Sequence, residues 1–318
     1  MKVAIVGAGI AGLVAAESLA AAGAEVTVID KGRSVGGRLA TRRIGEARLD
    51  HGAQFFTVRT PAFQRRVDDW IERGIVRVWN HGFDADSGGD GHPRYVGTAG
   101  MNSLAKDLAA SLPDSVTVET STMAFEVRSG ESQRWDLMID DGTSRPADAI
   151  ILTSPLPQTF ALLIDSGVVL DDSLMRTDYD RTIALLVTLD RSIELSPSGG
   201  IQDADDVFSF IGDNMAKGVS ATPACTFNAN PSWSADHWER DADLDTLLRD
   251  AAQSWLGDAE IVESQVKKWR LATPQSIWPD PCWTSDDGTI VLAGDAFAGP
   301  KVEGAHNSGL AAAHALLD

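Results

Sequence analysis

Three glycines near the start of the chain have the spacing of a phosphate-binding turn. Gly7, Gly9 and Gly12 form a G-x-G-x-x-G sequence, and Asp30 follows eighteen residues after the last of them. In this pattern the first glycine permits a tight turn, the second lets the main chain approach a pyrophosphate, and the third lets helix and strand pack closely. A carboxylate at the position of Asp30 can accept hydrogen bonds from ribose hydroxyls. These residues predict dinucleotide binding.

The elements around the glycines have the order that such a turn requires. Residues 2–6 are a β-branched run typical of a buried parallel strand, and residues 25–30 predict a second strand. Residues 11–22 between them are rich in Ala and Leu, which favours a helix ended by Gly23. Its N-terminus would offer N–H groups and partial positive charge to phosphates. A secretory signal peptide is the alternative for residues 1–24, but the glycines and Glu17 interrupt the apolar stretch that it needs.

The middle of the chain has a different pattern. Residues 116–127 and 134–139 alternate like strands, and further strands are predicted at 183–189, 207–211 and 261–269, with a helix at 244–256. Six of the nine tryptophans lie between residues 233 and 283. A strand running into residues 294–297, and then a helix over 302–317, close the chain. This order predicts a Rossmann-type α/β domain and a second α+β domain.

Three further segments narrow the choice of dinucleotide. They are KGRSVGGRLAT at 31–41, LDHGAQFFT at 49–57, and the pair LAGDAF and VEGAHNSG at 292–297 and 302–309. Together with the glycine turn they resemble the flavin amine oxidase and phytoene desaturase superfamily. Within it, residues 50–57, 94–101 and 300–309 are most similar to segments of renalase-like proteins, and the resemblance extends over essentially the whole chain.

The resemblance implies non-covalently bound FAD in a glutathione-reductase-type Rossmann domain made of residues 1–60, 97–156 and 284–318. It implies a substrate domain on a mixed or antiparallel sheet, made of residues 61–96 and 157–283. Asp30 would bind the adenosine ribose, Gly37 and Arg38 would lie along the diphosphate and ribityl, and Gln54 and Phe55 beside the isoalloxazine. The full set expected to bind FAD is Gly7, Gly9, Ile10, Ala11, Gly12, Asp30, Lys31, Gly37, Arg38, Leu39, Ala53, Gln54, Phe55, Gly294, Asp295, Glu303, Gly304 and Ala305.

The last three of these begin the closing helix, whose N-terminus would meet the N1/C2 oxygen edge of the flavin and favour hydride acceptance. The chain departs from the family pattern at two nearby positions. Lys301 follows Pro300 where relatives have arginine, and His306 stands where bacterial relatives have tryptophan. No clear equivalent exists of the lysine that many amine oxidases place near flavin N5, and Lys267 and Lys268 have no assigned role.

The activity implied by the resemblance is that of an FAD-dependent oxidase. A hydride passes from a small reduced substrate to flavin N5, and O2 reoxidises the flavin with release of H2O2. The renalase likeness implies 2- and 6-dihydro isomers of NAD(P)H as donors and NAD(P)+ as product. One alternative is a flavin amine oxidase acting on a primary or secondary amine, and another is a non-catalytic flavin-binding module. No side chain is predicted to be catalytic; the candidates for facing substrate, each also explained by simple packing, are Thr57, Trp269, Arg270 and His306.

Charge and the remaining reactive residues exclude other classes. The chain has 27 Lys and Arg against 46 Asp and Glu, a net charge of −19, which argues against binding nucleic acid or an anionic membrane. Residues 31–66 are the exception: nine basic and two acidic residues give them +7, which suits FAD phosphates and a second dinucleotide, or a solvated surface. The six histidines and two cysteines have no metal-site spacing, so no metal is predicted. The pattern predicts a cytoplasmic protein with no membrane span.

Overall fold

The computed structural model describes residues 1–83, 91–297 and 299–318. Within these ranges the strands are β1 (Lys2–Val6), β2 (Glu25–Asp30), β3 (Thr41–Ile44), β4 (Ala47–Asp50), β5 (Val76–Asn80), β6 (Arg94–Gly97), β7 (Val116–Thr120), β8 (Ala124–Ser129), β9 (Trp135–Ile139), β10 (Ser144–Ala147), β11 (Ala149–Leu152), β12 (Tyr179–Leu189), β13 (Gly200–Gln202), β14 (Phe208–Asp213), β15 (Ala224–Ala229), β16 (Ile261–Pro274), β17 (Trp283–Thr284) and β18 (Ile290–Leu292). The helices are α1 (Ile10–Ala21), α2 (Pro61–Glu72), α3 (Asn102–Ala110), α4 (Leu156–Leu163), α5 (Pro231–Asp236), α6 (Leu244–Leu256) and α7 (Val302–Leu317).

The chain divides into two compact units. Unit 1 consists of residues 1–37, 104–178 and 274–318, and unit 2 of residues 38–103 and 179–273. Residues 38–60 thus belong to unit 2 by compactness, and residues 157–178 to unit 1. Compactness is a different criterion from cofactor or substrate binding, so the functional boundaries expected from the sequence stay a prediction.

Unit 1 is built on a six-stranded sheet in the order β17-β18-β11-β1-β2-β7. All its neighbouring strands are parallel except the β17–β18 pair. The central strand β1 pairs with β2 on one side and β11 on the other, and the buried apolar side chains of these strands explain their position inside the sheet. Helix α7 packs closely on α1 at Gly309. A Cβ at this position would lie 2.2 Å from Ala11 O, so only glycine permits the approach. The predicted Rossmann-type α/β architecture is confirmed.

A second, three-stranded sheet in unit 1 shows where the sequence pattern was wrong. The single strand expected at 116–127 is two strands, β7 in the parallel sheet and β8 in an antiparallel sheet of order β10-β9-β8. Ser121, between them, has φ +56°, a left-handed conformation that an extended strand does not contain. The chain therefore changes sheets at this residue.

Unit 2 is built on a five-stranded sheet in the order β13-β14-β15-β12-β16. The pairs β13–β14, β14–β15 and β12–β15 are antiparallel. Helix α6 buries Leu244, Leu248, Ala252 and Leu256 in the core of this sheet, and their spacing of four residues places them on one helix face. The expected α+β domain with an antiparallel sheet is confirmed.

Two hairpins complete unit 2. β3 pairs with β4, and β5 with β6, both antiparallel. Leu49 on β4 packs with Leu186 and Ala224 in a small apolar cluster, which holds the end of the hairpin on the sheet. Asp50 ends β4 at this point. None of the helices in the described ranges is both long and apolar enough to cross a bilayer.

Candidate functional site

The three glycines of the turn in unit 1 have different surroundings. Gly7 has φ +110°, and a Cβ there would lie 2.4 Å from Thr153 Oγ1. A Cβ at Gly12 would lie 2.0 Å from Gly7 O, so only glycine lets α1 approach β1 this closely. A Cβ at Gly9 would meet no described protein atom within 4 Å. The first and third glycines are therefore needed by the protein itself, whereas the second leaves space for a ligand.

Helix α1 begins beside this space. Its first helical residue is Ile10, and its N-cap is Gly9, which has no side chain to accept from the first-turn N–H groups. Those groups and the positive end of the helix dipole are the features that bind pyrophosphate. The local geometry thus fits the diphosphate of a dinucleotide.

Asp30 joins the turn to the loop after β2. Its Oδ2 accepts a hydrogen bond from Ala8 N at 2.7 Å, and its Oδ1 accepts from Gly32 N at 2.7 Å. Gly36 N donates to Ala8 O at 2.8 Å across the same loop. A carboxylate oxygen has two lone pairs, so each can accept a ribose hydroxyl in addition to its backbone donor.

The first turn of the closing helix α7 in unit 1 resembles that of α1, because its N-cap residue also makes no side-chain capping hydrogen bond. Ala305 N donates to Lys301 O at 2.9 Å within the helix, so the outward donors of this turn come before Ala305. Asp295 and Glu303 are buried, with 9% and 8% exposure, and Gly294 N donates to Ser308 Oγ at 2.9 Å. Carboxylates this deeply buried need polar partners.

The remaining residues expected to bind FAD have identifiable neighbours within their own units. In unit 1 the exposed Lys31 donates to Gln158 Oε1 at 3.2 Å. In unit 2 Arg38 Nη1 donates to Ala272 O at 3.2 Å, and Ala53 N donates to Arg38 O at 2.8 Å. Leu39 is buried. Their contacts with a cofactor stay a prediction.

Unit 2 contains a buried ion pair that the sequence did not reveal. Lys217 Nζ lies 2.7 Å from Asp50 Oδ2, and both side chains have zero exposure. Asp50 Oδ1 accepts from Thr41 Oγ1 at 2.5 Å and from Met101 N at 2.8 Å. Burial lowers the pKa of Lys217 below its ordinary value, while the carboxylate of Asp50 acts in the opposite direction. Four separate chain segments meet at this carboxylate.

Gln54 belongs to the same network. Its Nε2 donates to Asp50 O at 2.8 Å and to Gly52 O at 3.2 Å, and its Oε1 lies 3.5 Å from Lys217 Nζ. Two carbonyl acceptors and an ammonium donor therefore determine which way the amide points. Thr226 Oγ1 also donates to Asp50 O, at 2.9 Å.

Four aromatic side chains form a cluster beside this network, and we call them the ring cluster. Ring centroids are 5.0 Å apart for Phe55–Phe83, 5.9 Å for Phe55–Phe210, 5.1 Å for Trp79–Phe83 and 6.3 Å for Trp79–Phe210. Two cations lie over its faces: Arg94 Cζ is 5.7 Å from the Phe55 centroid, and Lys217 Nζ is 5.3 Å from that of Trp79. These geometries are within cation–π range.

The four candidates for facing substrate have very different surroundings. Thr57 is half-buried, and Arg270 is exposed. Trp269 stacks on the ring of His51, with centroids 5.3 Å apart, and donates from Nε1 to His51 O at 2.6 Å. His306, in unit 1, is 3% exposed, and its Nδ1 lies 3.1 Å from Asn307 Oδ1. Whether any of them touches substrate stays a prediction.

Lys217 and most of the ring cluster escaped sequence reasoning for a simple reason. Lys217 stands 167 residues from its partner Asp50, in a segment without motif or periodicity. Only the folded sheet brings them together. Among the described residues no group of three or more His, Cys, Asp or Glu side chains is arranged to hold a metal ion.

Comparisons with known proteins agree with this geometry. Residues 5–70 match the NAD(P)-binding Rossmann-like domain, and residues 78–317 match the family of flavin containing amine oxidoreductases. The chain belongs to that family. The second match covers most of unit 2 as well as the closing strand and helix of unit 1, so FAD is the cofactor and oxidation–reduction the reaction class. The predicted flavoprotein oxidoreductase is thereby confirmed.

Individual relatives are more distant. The chain is 45% identical over 58 residues to a hydroxyneurosporene desaturase from Rubrivivax gelatinosus, a stretch that covers 18% of this chain and 11% of that protein. A structure assigned as a protoporphyrinogen oxidase from Exiguobacterium sp. 255-15 is 16% identical with a TM-score of 0.75, covering 99% of this chain and 98% of the other. Putrescine oxidase bound to putrescine is 17% identical with a TM-score of 0.74, covering 100% and 99%. At this identity the two structures show a shared fold.

Proposed function

We propose that this protein is an FAD-dependent oxidase of dihydronicotinamides, with the 2- and 6-dihydro isomers of NAD(P)H as donors and NAD(P)+ as product. Membership of the flavin containing amine oxidoreductases supports the oxidoreductase class. The ring cluster with its two cations supports the choice of substrate within that class.

The cations over the ring cluster disfavour a positively charged substrate. A protonated amine gains affinity from the faces of aromatic rings, but here Arg94 lies over Phe55, and Lys217 over Trp79. A cationic substrate at those rings would meet the like charges of Arg94 and Lys217, and Lys217 is in turn paired with the buried carboxylate of Asp50. The dihydropyridine ring of a dihydronicotinamide is neutral and can stack on aromatic side chains. The phosphates of the same dinucleotide are attracted to cations. The cluster therefore favours a dihydronicotinamide.

The chain has to bind and orient the reactants. FAD, when bound, supplies the acceptor of the hydride and the route by which the electrons reach O2 as H2O2. We assign the diphosphate to the turn of Gly7, Gly9 and Gly12 and the ribose to Asp30, for which the open space at Gly9 is the support. Gln54, held by Asp50 and Lys217, is assigned to the isoalloxazine. A dihydropyridine is already electron-rich, so no side-chain base is required to release its hydride.

An amine oxidase is the second candidate, supported by the family and by the shared fold of a putrescine oxidase. The two candidates separate in an anaerobic experiment. The holoprotein is mixed with isomerised dihydronicotinamides and, separately, with a panel of primary and secondary amines, and the flavin absorbance is followed. We expect rapid bleaching by the dihydronicotinamides. Bleaching by amines alone would replace this proposal with the second candidate, and no bleaching would refute both.

A variant adds a test of the charge argument. Arg94→Gln removes a cation from the rings, and we expect it to weaken binding of the dihydronicotinamides about tenfold, the effect of losing one modest charged contact. The matched control is Arg43→Gln, which removes the same charge from an exposed position on β3. Equal effects of the two variants would show that Arg94 has no specific role.

The assigned dinucleotide site has its own test. Gly9→Val fills the space beside α1, and Asp30→Ala removes the ribose acceptor, so both should purify without yellow colour. Gly23→Val, at the far end of α1, controls for destabilisation alone: the φ of +86° at Gly23 strains a valine, so this variant should lose stability but keep its flavin. Full flavin occupancy in Gly9→Val and Asp30→Ala would refute the placement.

A further inference from the structure

A second group of basic side chains lies in unit 2 along one face of β16. Gln265, Lys267 and Trp269 alternate along this strand, so their side chains project from the same side. Arg42 Nε donates to Gln265 Oε1 at 3.2 Å, and Trp269 Nε1 donates to His51 O at 2.6 Å. Lys267 therefore lies between Arg42 and His51. We call Arg42, His51, Lys267 and Trp269 the basic cluster.

The two cations of the basic cluster have no carboxylate partner among the residues whose contacts the structure describes. Asp50, next to His51 in the chain, is paired with Lys217. Glu263, on the same strand, accepts from Gln265 Nε2 at 3.3 Å. Burial, followed by the charge of Arg42, lowers the pKa of Lys267. Two like charges held together without a counter-ion create a local positive potential that attracts an anion.

His51 adds a polar atom in need of a partner. Its ring stacks on Trp269, which fixes its orientation, and its Nδ1 is buried without a hydrogen-bond partner in the described part of the chain. Burial first, and then the charge of Lys267, lower the pKa of His51 to about 4. The ring is therefore neutral at pH 7, with one nitrogen as donor and the other as acceptor. A buried polar atom of this kind is expected to be satisfied by a water or by a bound ligand.

We propose that the basic cluster is a phosphate subsite for the nucleotide substrate. Arg42 and Lys267 would neutralise phosphate oxygens, His51 would add a hydrogen bond from its ring, and Trp269 would hold that ring in place. The inference rests on the proposed function, because it names the part of unit 2 that would recognise the charged end of the donor. It also explains why residues 31–66, which include Arg42 and His51, have a net charge of +7 in a chain whose other residues sum to −26.

The test measures binding without turnover, so that its outcome does not depend on which donor is oxidised. Inorganic pyrophosphate, NAD+ and nicotinamide riboside, which has no phosphate, are titrated into the holoprotein by calorimetry. The variants are Arg42→Gln, Lys267→Gln and the double variant. Arg43→Gln is the control, since it removes an exposed cation one residue from Arg42. His51→Phe keeps the stacking on Trp269 but removes both ring nitrogens.

We expect each single variant to weaken pyrophosphate and NAD+ binding about tenfold, and the double variant more, while nicotinamide riboside binding is unchanged. His51→Phe should weaken them less. The flavin content and Arg43→Gln should match the wild type. Unchanged pyrophosphate binding in the double variant would overturn the proposal. An equal effect of Arg43→Gln would overturn it as well, because it would show that the anion responds to the overall electrostatic potential of the surface and not to a specific contact. Loss of FAD from the double variant would overturn it too, because the cations would then serve the cofactor. If the double variant does not fold, the single variants decide.

Discussion

The two units form their candidate binding regions from different parts of the polypeptide, unit 1 from main-chain groups and unit 2 from side chains. Unit 1 forms its candidate dinucleotide turn from the main chain: Gly7 and Gly12, where a Cβ would collide, Gly9, which leaves open space, and N–H groups at the start of a helix. Unit 2 forms its polar core from side chains, with the buried pair of Asp50 and Lys217 at its centre. A main-chain site depends on a few consecutive residues, whereas a side-chain site depends on segments far apart in the sequence. The first is therefore visible in the sequence and the second is not.

The largest effect should follow from breaking the side-chain network. Lys217→Met leaves Asp50 charged, buried and without its cation, and we expect it to lower the free energy of unfolding by about 3–5 kcal/mol, as for other broken buried pairs. Lys2→Met is the control, because Lys2 pairs with Glu25 with both side chains more than half exposed, and its loss should cost less than about 1 kcal/mol. Urea denaturation of both proteins measures the difference.

A double variant sharpens this result. Adding Asp50→Asn to Lys217→Met removes the uncompensated charge, so part of the lost stability should return. If Lys217→Met and Lys2→Met destabilise the protein equally, the buried pair is not the centre of unit 2.

The next effect is a dependence of stability on pH that comes from His51. Its pKa falls from 6.5 to about 4 in the folded protein, so between these values the unfolded chain binds a proton that the native ring does not. Stability should therefore be lost as the pH falls through this window, by about 2–3 kcal/mol for a shift of this size. His51→Phe keeps the ring stack and removes the titration.

The measurement is the free energy of unfolding at pH 7 and pH 4.5 for the wild type and for His51→Phe. Carboxylates affect both proteins alike, so the difference between their losses isolates His51. Equal losses in the two proteins would show that the ring is not buried as a neutral base.

The smallest effect compares two glycines of the main-chain site. Gly12→Ala puts a methyl group where Gly7 O now lies, and we expect a loss of about 1–3 kcal/mol in unfolding free energy, typical of overpacking. Gly9→Ala meets open space in an ordinary conformation, so stability should stay within about 0.5 kcal/mol while FAD binds more weakly. Chemical denaturation and flavin titration of the apoproteins separate the two effects. Equal losses of stability would mean that Gly9 also serves packing.

The sequence predicted the β1–α1–β2 unit because glycine spacing, strand runs and helix composition agree over thirty consecutive residues. It predicted α6 and α7 for the same reason, since local periodicity is enough for a helix. It was wrong about residues 116–127, because alternation does not show at which residue a strand changes sheets.

The candidate site divides in the same way. Gly7, Gly9, Gly12 and Asp30 follow from spacing, and their local geometry suits a dinucleotide. Lys217 did not follow from spacing, because its environment is created by pairing between distant strands. The resemblance to renalase-like proteins implies which residues are expected near the flavin, but it gives no partner for Asp50. Long-range contacts of this kind carry no local signal.

The most direct test of hydride transfer uses a labelled donor. Holoprotein is mixed anaerobically, in a stopped-flow instrument, with a 2- or 6-dihydronicotinamide dinucleotide in which both hydrogens of the reactive carbon are deuterium, and with its unlabelled form. We predict that both bleach the flavin, that the labelled donor does so more slowly, and that the oxidised nicotinamide keeps one of the two deuterium atoms. Bleaching only by amines, or equal bleaching rates with the labelled and unlabelled donors, would contradict hydride transfer from this carbon.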